Sequence, residues 1–145
     1  MLEVKGTEQF GELRDALRKA GDRELEAELL TACRKAVEPV IPDVVRAAGR
    51  LPQAGGLSAA AAGARFSVRV VHQGVALLAT APVNLERLDR GKIRHPVWGQ
   101  RDVWVAQRVK AGFWSDPVRA DEPRAQAELE AAGRRIVAKV DKAVR

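Results

Sequence analysis

A chain of 145 residues with a 46% hydrophobic fraction is long enough to bury one core and too apolar to be disordered throughout. Its 25 Lys and Arg against 19 Asp and Glu leave a net charge of +6, a modest excess that admits nucleic acid as a partner without demanding it. One cysteine excludes an internal disulfide framework, one cysteine with two histidines argues against a zinc site, and no uncharged apolar run reaches the roughly 18–20 residues of a membrane span.

In chain order, Phe10, Leu13 and Leu17 predict a short amphipathic helix over 7–20, with Thr7 as its cap. The start of the chain lacks the apolar core of a signal peptide, so synthesis in the cytoplasm is expected. After Gly21-Asp22, a second apolar stripe runs from Leu25 through Leu29, Ala32, Ala36, Val40 and Val44 to Leu51. Pro39 and Pro42 lie inside it and predict a break near 38–42. Residues 1–50 are thus expected to be helical. The small-residue stretch 50–64 favours a loop over a helical turn at 58–62 because glycines flank it. Alternation in 65–71, a turn at Gln73-Gly74 and the apolar run 75–81 predict a β-hairpin. Residues 84–102 show no clear period and are expected to form a long loop, followed by a third strand over 102–109 added antiparallel to the hairpin. A final helix is expected from 117 or 121 to about 144, on the stripe Leu129, Ala132, Ile136 and Val140. The fold class expected is α+β, as a single domain over 1–145: a long N-terminal helical region, a small three-stranded antiparallel sheet over 65–109, and a C-terminal helix.

The charge is concentrated. Residues 84–119 carry eight basic and four acidic side chains, and they hold Trp98, Trp104, Phe113 and Trp114, four of the six aromatic residues. Arg and Trp together are the types enriched in interface hot spots, whereas tryptophans alone would more simply fill a core. Catalytic signatures are missing: no phosphate-binding glycine loop, no nucleophile elbow and no tyrosine. His72 and His95 each stand alone, and Cys33 adjoins an apolar stripe that favours its burial as a small hydrophobe. An enzyme is therefore not expected, and neither a cofactor nor a metal. No helix-turn-helix, zinc-finger or RNA-recognition signature accompanies the basic segment, which disfavours sequence-specific DNA binding.

Residues 91–114, GKIRHPVWGQRDVWVAQRVKAGFW, carry the most specific pattern. The words Arg94-His95-Pro96-Val97-Trp98-Gly99-Gln100 and Trp104-Val105-Ala106-Gln107-Arg108-Val109, ending in Gly112-Phe113-Trp114, resemble a segment of the tail-completion (neck) protein family of long-tailed actinobacterial phages. The order of elements fits that family along nearly the whole chain. The resemblance implies a structural virion protein at the head–tail junction, copied into a ring and needed for joining or completing the tail. Its implied partners are further copies of itself, neighbouring connector and tail-tube proteins, and passing DNA touched without sequence preference; no membrane is involved. A tail-terminator ring capping the tail tube is an alternative of the same class. A non-sequence-specific nucleic-acid-binding accessory protein is an alternative of another. No catalytic residue transfers. Arg90, Arg94, His95, Trp98, Arg101 and Trp114 are the candidates for an assembly interface, with Pro96 and Gly99 shaping the turn between them.

Overall fold

The helix-forming stripes and the strand alternation place six helices and five strands among the described residues of the computed structural model. It describes residues 2–3, 8–52, 56–71, 74–97 and 100–144; the side chains of 2, 3, 8, 95–97, 100, 101 and 144 lie outside that description. The expected cap at Thr7, His72 and the turn residue Gln73 fall outside it too. The α+β class holds, with a long C-terminal helix and two small sheets.

Two compact units share the chain: residues 1–39, 66–78 and 121–145 form one, and residues 40–65 and 79–120 the other. In the first unit, helix α1 (Glu8–Lys19) ends where Gly21 takes a left-handed φ of 73°. Asp22 then caps α2 (Arg23–Val37), its carboxylate accepting the Leu25 N–H at 3.1 Å. Strand β3 (Gly74–Thr80) lies between β1 (Leu2–Glu3) and β2 (Arg65–Val71), with Leu2 opposite Leu77 and Glu3 opposite Ala76. Val75, Ala76 and Leu77 are buried in succession along β3, so both faces of this strand are covered. Leu29, Cys33, Leu129 and Ile136 are among the most deeply buried of this unit's remaining core residues. Arg124 donates to the Ala36 carbonyl at 2.8 Å, and Lys139 pairs with Glu28 at 2.6 Å, tying α6 (Ser115–Val144) to α2 within the unit.

Burial pushes the Cys33 thiol up to about 12 by stripping water from the thiolate form. An unfolded thiol titrates near 8.5, so above that pH the unfolded chain loses this proton while the folded chain keeps it. The stability that Cys33 contributes is complete below about pH 8.5 and is lost as pH rises toward the folded value. We expect the melting temperature to fall more steeply between pH 8 and pH 10 in the wild type than in Cys33→Ala. Parallel melting curves of the two proteins across that range would contradict it.

In the second unit, the break expected at the prolines is a 3-10 turn over Glu38–Val40 that begins in the first unit, followed by α3 (Ile41–Ala48) with Pro42 in its first turn. The expected loop at 58–62 is instead a helix, α4 (Leu57–Ala62). Leu57 and Ala61 are buried, and the buried Ser58 hydroxyl donates to the Ala48 carbonyl at 3.0 Å; this anchoring outweighs the flanking glycines. The long loop expected over 84–102 contains a helix, α5 (Leu85–Asp89), and a strand, β4 (Lys92–Val97). The third strand is corrected as well. Strand β5 (Gln100–Arg108) pairs antiparallel with β4 in a separate two-stranded sheet, and the place beside the hairpin belongs to β1. A partner a few residues away closes a shorter loop, at lower entropic cost, than the distant hairpin edge would. The C-terminal helix starts at Ser115, ahead of the expected 117 or 121.

Candidate functional site

Asn84 starts the local build. Its side-chain oxygen accepts the Arg87 N–H at 3.0 Å, capping a single turn of helix whose inner residue, Leu88, is fully buried. Burying Leu88 leaves Arg87 and Arg90 exposed. Gly91, with φ of 77°, then redirects the chain into β4, and its carbonyl accepts the Val109 N–H at 3.0 Å where β5 ends. Asp89 ties the same corner to the last helix. Its backbone carbonyl accepts the Gly112 N–H at 2.8 Å, and its carboxylate oxygen Oδ1 accepts the Trp114 and Ser115 N–H groups at 2.8 and 3.0 Å. A carboxylate at a helix N-terminus satisfies orphan donors and meets the positive end of the helix dipole. That is why α6 begins earlier than its own sequence suggests.

The ribbon's register sorts its side chains onto two faces. Lys92 stands opposite Arg108, Arg94 opposite Ala106 and Ile93 opposite Gln107, while Trp104 and Val105 lie across from positions 96 and 95. Alternation therefore puts Lys92, Arg94, Trp104 and Arg108 on one face, and Ile93, Val103, Val105 and Gln107 on the other. Neither face is closed over. Every residue from Asp102 to Arg108 is exposed, with Val103 at 48%, Trp104 at 54% and Val105 at 42%.

A groove of about 420 Å³ separates α5 from the ribbon; its lining includes Arg87, Arg90, Lys92, Arg94 and Arg108, with the neutral Ile93, Ala106 and Gln107 between them. Arg90 pairs with Glu86 at 2.5 Å, an exposed pair of little energetic weight. Among the described residues, no carboxylate pairs with Arg87, Lys92, Arg94 or Arg108, and Asp89 is engaged by backbone donors. A second depression of about 400 Å³ adjoins it, lined in part by Arg94 and Trp104. The charge division is sharp: the unit holding the ribbon has 11 basic and 5 acidic residues, and the other has 14 of each. The whole net charge of +6 thus belongs to one unit.

Of the six interface candidates, Arg90 and Arg94 are exposed beside this groove. Trp114 is half-buried, with its N–H held by Asp89. His95 and Arg101 occupy backbone positions in β4 and β5, but their side chains lie outside the described residues, as does Trp98 altogether. Trp104 and Arg108 were missed as candidates. The usable signal was that the middle of β5 carries Trp104 and Ala106 on one parity and Val103 and Val105 on the other. A two-sided strand like that must be either buried on both faces or presented on both.

No helix among the described residues is long and apolar enough to cross a membrane. Comparison with family models, with curated proteins and with solved structures found no match for the chain.

Proposed function

We propose that this chain is a structural virion protein of a long-tailed phage, a neck or tail-completion component that repeats as a ring at the head–tail junction. One observation carries the reading. The segment that resembles the tail-completion family folds as a ribbon whose apolar residues Val103 and Val105 stand half-exposed, beside Ile93 on the same face. A two-stranded ribbon is marginal by itself, and adjacent exposed apolar side chains mark a surface that another molecule covers. In a ring, a head-to-tail contact joins two different patches of neighbouring copies, and rotation closes the circle. An exposed ribbon offers one such patch on every copy.

Val103→Gln combined with Val105→Gln tests this. Because both positions are half-exposed, unfolding free energy should stay within about 1 kcal/mol of wild type. In a phage whose own copy of the gene is deleted, the double variant should fail to enter particles and leave heads and tails unjoined, while the wild-type chain restores them. Normal incorporation of the double variant into infectious particles would overturn the role.

A further inference from the structure

We infer that the groove between α5 and the ribbon binds a single strand of nucleic acid by its phosphodiester backbone, without sequence preference, and that Trp104 stacks on one of its bases. The inference does not rest on the virion role. It follows from four cationic side chains, Arg87, Lys92, Arg94 and Arg108, that converge on one groove and meet no carboxylate among the described residues. Like charges held together without counter-charges repel, and a polyanion relieves that repulsion while releasing its condensed counterions. Guanidinium groups add planar forks that match phosphate oxygens two at a time.

The spacing suits a linear ligand. Lys92 and Arg94 are two residues apart on one face of β4, about 7 Å along the strand, and Arg108 faces Lys92 directly. Two residues beyond Ala106, the partner of Arg94, the same ribbon face presents Trp104, more than half exposed. A basic track that ends on an open aromatic ring is the arrangement by which single strands are held: phosphates on the cations, a base on the ring. An acidic protein segment would use the cations and leave the indole unused. Paired bases have no free face to offer it.

The test uses the purified full chain and a fluorescently labelled mixed-sequence 20-nucleotide single strand, titrated by anisotropy at several salt concentrations. Four phosphate contacts predict a slope of log K against log salt of about −3. Arg87→Ala, Arg94→Ala and Arg108→Ala combined should flatten that slope by about 2. Trp104→Ala should leave the slope unchanged and weaken binding about tenfold, the loss of one base–aromatic stack. All four positions are exposed, so circular dichroism and melting should match wild type and confirm that the variants fold. Three results would each overturn the inference: unchanged binding in the triple variant, equal competition by polyglutamate of the same length, or tighter binding of the duplex form of the same sequence.

Discussion

Gly91→Ala is expected to destabilise the protein by about 2–4 kcal/mol, the larger part of which is steric. Gly91 has a φ of 77°, a left-handed conformation that costs an alanine about 1–2 kcal/mol. A Cβ built there would also lie 2.7 Å from the Val109 carbonyl oxygen and 3.3 Å from the Ala111 Cβ. The obstacle is backbone, so relief requires the two chain segments to part. That movement strains the hydrogen bond from the Val109 N–H to the Gly91 carbonyl, at 3.0 Å, which closes the base of the ribbon. Denaturant unfolding measures the loss, and a cost below about 1 kcal/mol would show that the corner relaxes freely. The consequence reaches the site, because Gly91 sets the angle between α5 and β4 across which the arginines converge.

Asp89→Ala is expected to cost about 2–3 kcal/mol. The carboxylate accepts two backbone N–H groups at the start of α6, and truncation leaves both without their partner in a partly buried setting. Hydrogen bonds to a charged acceptor contribute more than neutral ones, and the loss of a cap alone typically costs ~1 kcal/mol. Asp89→Asn keeps an acceptor oxygen and loses the charge, so it should recover roughly half of the deficit. Equal stability of Asp89→Ala and wild type in equilibrium unfolding would show that water replaces the carboxylate without penalty. Both substitutions act on one corner, where residues 89–91 meet residues 109–115, so their effects should not add.

How much of this was legible in sequence varies with how local the cause is. Helices α1 and α2, the break at Pro39 and Pro42, and the hairpin strands β2 and β3 follow from period, caps and proline, all properties of neighbouring residues. The start of α6 was not legible, because the group that caps it, Asp89, is 25 residues upstream of Trp114. Helix α4 was misjudged because Leu57, Ser58 and Ala61 gain their helix from packing on α3, which outweighs the flexibility that the glycines suggested. Strand β4 was hidden because His95 falls on the parity of Ile93 and Val97, and because Pro96 argues against a strand.

Composition and pattern by themselves determined the α+β class, the stripes that enter the core, the burial of Cys33 and the concentration of basic and aromatic residues after residue 84. Those properties depend on residue type and spacing along one element. Which strand β5 joins, and which residues the basic groove collects, was decided by tertiary structure alone. Pairing with β4 closes a short loop, and β1 takes the place beside the hairpin, so β5 forms a ribbon with both faces open. Register then brings Lys92 opposite Arg108 and sets Arg94 two residues from Trp104's partner position, joining residues from three elements that no periodicity connects.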